Sequence, residues 1–381
     1  MRRSTFVSFA VAGLMACAPT ANHPRATTST APTAEPEPAI PAVLSAFDRY
    51  EVVAINAGHG MKDIDDFILA LVRDPRFPAT VNDIAVECGN SRYQPVLDRY
   101  IAGMDVPYAE VRKVWRDTTQ SMMCGPSAFY ERFFPLVRAI NQRLPPDERL
   151  RVLAGDPPID WDQVETRDDV WRYFQRDATI ASVMEAEVLA KHRKALMLFG
   201  TFHLMHGQDG NAVSTYEKTY PDVTFVISDL GAYDTSRFAS WPTPSLVPIE
   251  GTWLGALSPD DIWDPGVRMI DCTVQDGFPP ELQRPVEDVV DAFLYLGPRD
   301  LLLLEPTPAD IALDDAYMTE LQRRVALTAV RSAALLSVEA MRAEIVQEAQ
   351  QTILPPPPPP PDVAALEAEC RAQQRAPAPT P

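Results

Sequence analysis

The stretch VVAINAGHGMKDIDDF, residues 52–67, decides how the rest of the chain reads. Val52, Val53 and Ile55 are β-branched and no polar residue alternates with them, so the run reads as a strand buried on both faces. It stops abruptly in Asn56-Ala57-Gly58-His59-Gly60. The next segment, DIDDFILALVRD from Asp63, has helical periodicity, with Asp63 and Asp65 in its first turn, where carboxylates suit the helix dipole. Strand, glycine turn and helix together form the unit of a parallel sheet. A histidine between two glycines at the end of such a strand has two readings. It is an incidental turn residue, or it is an imidazole held where glycine lets a ligand approach the backbone.

The same unit recurs along the body. DIAVECG (83–89) reads as a strand, and YQPVLDRYIAG as the helix after it. YAEVRKVWRD and SAFYERFFPLVRAINQRL are amphipathic helices, and LRVLAGD is a strand closed by Pro157 and Pro158. RDDVWRYFQRDATIASVMEAEVLAKHRK reads as one long helix, ALMLFGTFH as a strand, AVSTYEKTY as a helix and VTFVISDLG as a strand. GVRMIDCTV and DAFLYLGP are later strands, and residues 318–351 are helical. Continuous apolar strands separated by helices predict an α/β fold: a mainly parallel β-sheet flanked by helices on both faces. With no internal repeat and no long linker, residues 43–354 are expected to form a single domain.

Both ends read differently from this body. MRRSTFVSFAVAGLMAC, residues 1–17, has a basic start, a short apolar run and small residues at its end, which is the pattern of an export signal. Leu14-Met15-Ala16-Cys17 has the form of a lipobox, with Cys17 as the lipidated residue, although Met15 is unusual there. A cysteine directly after the apolar run, followed by a Pro/Thr/Ala-rich tether over 18–42, favours a lipid-anchored envelope protein over plain secretion. His23 falls in that tether, away from any chemistry. At the other end, Pro355–Pro361 begin a Pro-rich tail (355–381), expected to be a polyproline rod followed by one short helical patch at most. The tail is a spacer or a contact segment for another protein. Cys88, Cys124, Cys272 and Cys370 fit no zinc or disulfide spacing. An exported chain can oxidise a pair of them, and the sequence does not say which. Cys88, after an apolar strand, reads as a small core residue.

Charge narrows the partners. The 381 residues carry a formal net charge of −19, which argues against nucleic acid and against adhesion to anionic membranes. The acids are spread along the chain, as on a solvated surface.

Ligands in open parallel sheets bind beyond the carboxyl ends of the strands. The predicted strands end in His59, Glu87, Asp156, His203 and Ser228-Asp229. Asp156 and Asp229 are read equally well as turn formers. The histidines are more telling. Of five in the chain, two end apolar strands beside glycine, in NAGHG and GTFH. Histidine is the usual acid–base group and metal ligand, so these two are expected to share a site. His206, one turn beyond His203, either faces the same ligand or caps a turn. His192, in AKHRK, reads as solvated. A phosphate-cradling glycine loop, a G-x-S-x-G elbow and an H-E-x-x-H helix are all missing from the sequence.

The residues from about Val52 to Pro298 resemble the erythromycin esterase family and its distant relatives, the ChaN-like and Tiki proteins. INAGHGMKDI resembles the family's first histidine motif. IAVECGNSRYQPVLDRYIAG resembles the strand ending in glutamate with its helix. LVRAINQRLPPDERLRVLAGD is similar to the helix and strand ending in Asp, YFQRDATIASVMEAEV to the Arg-Asp helix, and LMLFGTFHLMHG to the strand bearing the second histidine. The resemblance implies His59, Glu87 and His203 as catalytic residues, with Arg176 in support. It also implies substrate contacts among Asp63, Arg92, Asp156, Arg176, His206 and Asp229. Asn56 departs from the pattern, because the family usually carries glutamate there.

The implied activity is hydrolysis of an ester or similar acyl bond in a small-molecule substrate, with no cofactor required. One alternative is a ChaN-like lipoprotein that binds haem or another ligand without catalysis. Another is a Tiki-like hydrolase in which the same residues hold a divalent metal, since GTFH is similar to that family's Gly-x-x-His motif.

Overall fold

The structure, a computed structural model, describes residues 33–57, 59–231, 233–263, 268–270, 272–275, 277–328, 337–353 and 362–375. The expected export signal with Cys17, most of the tether and the Pro355–Pro361 run lie outside them.

Ten strands are described: β1 (Glu37–Pro38), β2 (Val52–Asn56), β3 (Asp83–Asn90), β4 (Arg151–Asp156), β5 (Ala195–Phe199), β6 (Thr224–Ser228), β7 (Ser245–Pro248), β8 (Arg268–Ile270), β9 (Thr273–Gln275) and β10 (Ala292–Tyr295). Eight form one sheet in the order β1-β7-β10-β6-β2-β5-β3-β4. From β10 to β4 all neighbours pair parallel, while β7 and β1 add an antiparallel edge. The sheet is therefore mainly parallel, as the apolar runs predict.

The strands bury both faces by alternation. Val53, Ile55, Ile84, Val86, Leu196 and Leu198 pack into one core, against the helices Lys62–Arg73, Tyr108–Arg116 and Ala128–Asn141. Val52, Ala54, Ala85, Met197 and Phe199 pack into a second, with the helix Arg176–Glu187 and residues up to Val290. Each fully buried aliphatic side chain contributes about 1.5–3 kcal/mol relative to exposure, so the two layers outweigh any local propensity. Among the described residues no helix is long and apolar enough to cross a membrane.

Several expectations change. The long helix from Arg167 is two helices, Arg167–Trp171 and Arg176–Glu187. Tyr173 and Phe174 leave the helical path to pack on a satellite core of Ile159, Trp161, Val164 and Val170, with Leu327. GVRMIDCTV is not a strand of the main sheet. Its described residues form the β8–β9 hairpin, with Cys272 at φ 57°. Residues 33–42, read as tether, contribute β1 and the start of the helix Ala39–Ala46, where Ala39 is buried. The tail patch is a 13-residue helix, Val363–Arg375.

The four cysteines after Cys17 all pair. Cys88 bonds Cys124 and Cys272 bonds Cys370, so Cys88 is buried as half of a cross-link rather than as a free core thiol. The second bond fastens the tail helix to the β8–β9 hairpin.

Candidate functional site

Glu87 is the centre of the site. It lies in β3 where the pairing with β4 slips between Val86 and Asn90, an irregularity of the kind that re-aims a side chain. Ile84, Val86 and Cys88 point into one core. The intervening Glu87 points to the other side, toward the end of β5, and is almost fully buried. A buried carboxylate needs partners, and Glu87 has them on both oxygens. Oε1 accepts from Arg176 Nη2 at 2.8 Å and from Gln120 Nε2 at 2.8 Å. Oε2 accepts from the Gly200 N–H at 2.7 Å.

The two strand-end histidines bracket this carboxylate. His59 Nε2 is 3.3 Å from Oε2, and His203 Nε2 is 3.5 Å from Oε1. His59 follows β2 in a turn whose Gly60 has φ 77°, a conformation that glycine adopts freely. His203 sits in the short helix Thr201–Leu204 directly after β5. Its Nδ1 is 2.7 Å from Asp177 Oδ1, which also accepts from the Ala212 N–H at 2.9 Å. Asp177 therefore lies near two helix N-termini, where a carboxylate is favoured.

Arg176 closes the group. Its Nε donates to Asp156 Oδ1 at 3.1 Å, and Asp156 also accepts from the Thr119 N–H and hydroxyl at 2.7 and 2.6 Å. The Cys88–Cys124 disulfide pins the segment after Glu87 to the segment after Gln120, which fixes this side of the site.

Electrostatics assign the charges. Burial alone would raise the Glu87 carboxyl, but His59 and His203 hold it well below the usual range, so it is an anion. Burial of Asp156 outweighs Arg176 and Thr119 and raises its carboxyl. Burial would lower the His203 imidazole, yet the Glu87 charge and the Asp177 hydrogen bond push it up to about 9. Arg176 Nη1 lies 3.3 Å from His203 Nε2 and can only donate, so that contact suits the neutral ring with its proton on Nδ1. The charged ring instead turns its Nε2–H to Glu87. His203 thus has a partner ready in each protonation state, with the charged state dominant near neutral pH.

Gly200 completes the geometry. A Cβ built there would sit 3.5 Å from Glu87 Oε2, 3.7 Å from His59 Nε2 and 4.0 Å from His203 Cδ2. The missing side chain leaves a space bounded by both imidazoles and the carboxylate.

The structure thus gathers His59, Glu87, His203, Arg176 and Asp156, and it separates the other expected contacts. Asp63 accepts from the Leu303 N–H at 2.7 Å and ties down the strap after β10. Arg92 pairs with Asp160 at 2.6 Å. His206 turns away from His203 and lies between Glu217 and Asp291, at 3.0 and 3.1 Å. Asp229 reaches the site's edge, accepting from Asn56 Nδ2 at 3.0 Å. Asn56 Oδ1 stays buried without a partner. Gly200 is the glycine of GTFH that the sequence already sets beside the second histidine. Gln120 and Asp177 were missed as site residues, and of these only Asp177 carried a signal, as the residue after Arg176.

The set does not fit a metal. The two histidines meet different oxygens of Glu87, whose acceptor sites are filled by Arg176, Gln120 and Gly200, and a guanidinium stands beside His203. Among the described residues no three His, Cys, Asp or Glu are arranged as ligands. Haem ligation by His203 fits no better, because both ring nitrogens already face partners.

Fold and site together define a class: an open, mainly parallel α/β sheet carrying a His–Glu–His cluster with a buried arginine at its carboxyl edge. No protein-family model matches the chain, and no curated protein matches it. Among solved structures, the chain is similar to a protein of Bacillus cereus, with 11% identity, 70% of this chain and 95% of that one covered, and a TM-score of 0.42. It is also similar to ChaN of Campylobacter jejuni, described with cofacial haem binding, with 11% identity, 49% and 84% covered, and a TM-score of 0.30.

Proposed function

We propose that the protein is a hydrolase of an ester or similar acyl bond, in line with the resemblance to the erythromycin esterases, and that it works by acid–base catalysis without a metal. The observation that carries this reading is the bracketing of one buried carboxylate by two imidazoles around the space left by Gly200. His59, about a quarter exposed, is the group that solvent reaches. It takes a proton from water as the water oxygen bonds to the acyl carbon, and the Glu87 anion stabilises the imidazolium that forms. His203, held in its charged form between Asp177 and Glu87, supplies positive charge beside the developing oxyanion. His59 returns the proton it has taken to the leaving oxygen as the carbon–oxygen bond breaks. Acid and alcohol leave, with His59 neutral again and His203 charged throughout. Asp177 holds the His203 ring in orientation throughout.

We further place the protein outside the cytoplasm, anchored through Cys17, with its Pro-rich tail as a contact for another protein. The export pattern motivates this, and two disulfides suit an oxidising compartment.

The test is a panel of small esters with the wild type and His59→Ala, with melting temperature measured alongside. The wild type turns over, and the variant loses a factor on the order of 10²–10⁴ with melting nearly unchanged. A Soret shift with added hemin and no turnover of any ester would replace this reading with a haem-binding one.

A further inference from the structure

The two disulfides sit in opposite surroundings. Cys88 and Cys124 are 1% and 0% exposed, and both belong to the core on one face of the sheet. No thiol reaches that bond while the core is packed. Cys272–Cys370 joins the β8–β9 hairpin to the tail helix Val363–Arg375. Cys272 is buried, but Cys370 is partly exposed and residues 362–365 are exposed. Among the described residues, none of the tail helix enters a hydrophobic cluster. Beside the disulfide, its contacts with the hairpin are polar. The Val274 N–H donates to Glu367 Oε1 at 3.0 Å, and Arg371 Nη2 donates to the Cys272 carbonyl at 3.4 Å. Such bonds contribute little net stability, because water competes for the same groups. Cys272 also has φ 57°, a left-handed conformation that is unfavourable for a residue with a Cβ, so the hairpin carries local strain where the bond attaches.

We propose that Cys272–Cys370 is a site of thiol–disulfide exchange, open to a dithiol reductant while the chain is folded, and that its state decides whether the tail helix is held on the body. The proposal stands apart from the hydrolase reading. A thiolate of the dithiol bonds to Cys370 Sγ, the sulfur–sulfur bond breaks, and its electron pair leaves on Cys272 Sγ, which takes a proton. The second thiol of the dithiol then displaces Cys370. The reductant ends as a disulfide, having given up two electrons, and Cys272 and Cys370 end as thiols. The helix then keeps only its polar contacts, and Cys272 can leave the left-handed region. Cys88–Cys124, which fixes one side of the Glu87 site, is shielded from the same reagent by its core.

The experiment uses the full chain, folded, in mildly alkaline buffer with dithiothreitol as the dithiol. Samples are quenched with iodoacetamide over time, and peptide masses identify each labelled cysteine. Cys272 and Cys370 are expected to label faster than Cys88 and Cys124 by a factor on the order of 10 or more, with the melting temperature nearly unchanged. Trypsin is expected to cut after Arg371 several-fold faster once that bond is open. Cys370→Ser reproduces the faster cut without reductant, and the wild-type labelling stands without the variant. Equal labelling of both pairs, labelling of Cys272 and Cys370 only on unfolding, or a tail cut at the same rate in both redox states overturns the proposal.

Discussion

At the scale of single residues, the site is an exercise in keeping charges buried and paired. Glu87 stays ionised because two imidazoles and three hydrogen-bond donors offset its desolvation, and His203 stays charged because two carboxylates face it. His206 repeats the device away from the site. Burial lowers it, but Asp291 and Glu217 push it up to about 9. Both imidazoles therefore bind protons more tightly in the folded chain than the ordinary value of about 6.5. A group whose folded pKa is raised stabilises fully below its unfolded pKa, and that contribution is lost as pH climbs to the folded value. The protein is expected to be more stable at pH 6.5 than at pH 9, by on the order of 3 kcal/mol for each histidine. Denaturant unfolding at the two pH values checks this, and equal midpoints would mean that the two rings are neutral in the fold. Little of this was legible in the sequence. His59, Glu87 and His203 stood out because each closes an apolar run beside glycine or at a strand end. Asp291, which holds His206, is 85 positions away, and no local pattern announces it.

At the scale of elements, the strands were readable and the interruptions were not. A strand buried on both faces advertises itself as an unbroken apolar run, which β2, β3, β5 and β6 all show. β7, four residues closed by Pro248, is too short to do so. The break between the helices at 171 and 176 follows from aromatic side chains drawn to a distant Leu327, a tertiary effect that outweighs helical periodicity. That break sets Arg176 at the head of a new helix, from which it reaches Asp156 and Glu87. A second device guards the open edge of the sheet at β4. The Gln94 side chain donates to the Val152 carbonyl and accepts from the Ala154 N–H, both at 2.8 Å, in the manner of a neighbouring strand. The Gln94 side chain also lines a cavity of about 730 Å³ that touches no site residue. Gln94→Ala leaves two strand groups unpaired, so it is expected to cost about 1–3 kcal/mol and to promote aggregation through the bared edge. Thermal unfolding with light scattering measures both effects, and an unchanged transition would show that water replaces the amide without loss.

At the scale of the whole molecule, the parts added to the sheet converge on its carboxyl edge. The strap after β10 pairs with the turn beyond His59 through Met61 and Leu304, and its Glu305 N–H donates to the Gly60 carbonyl at 2.7 Å. The helix Asp315–Thr328 braces the segment before Gln120, with Arg324 on Asp117 at 2.8 Å. The disulfides could not be paired from sequence, because partners 36 and 98 positions apart are brought together only by tertiary packing. This architecture concentrates on a small volume next to Gly200. There an added Cβ meets its neighbours at ordinary van der Waals distance, and the backbone is in a region open to any residue, with φ −61° and ψ 145°. Gly200→Ala therefore leaves the fold in place and fills the space between His59 and His203. The most direct measurement of the central claim is ester turnover by wild type and Gly200→Ala at equal folded fraction. The account predicts a hydrolytically active wild type and a variant that melts within a few degrees of it, with kcat/KM lowered by a factor on the order of 10² or more, as misplacing a reacting group does. Turnover undiminished by the methyl group would contradict it, since catalysis would then lie somewhere other than between the two histidines.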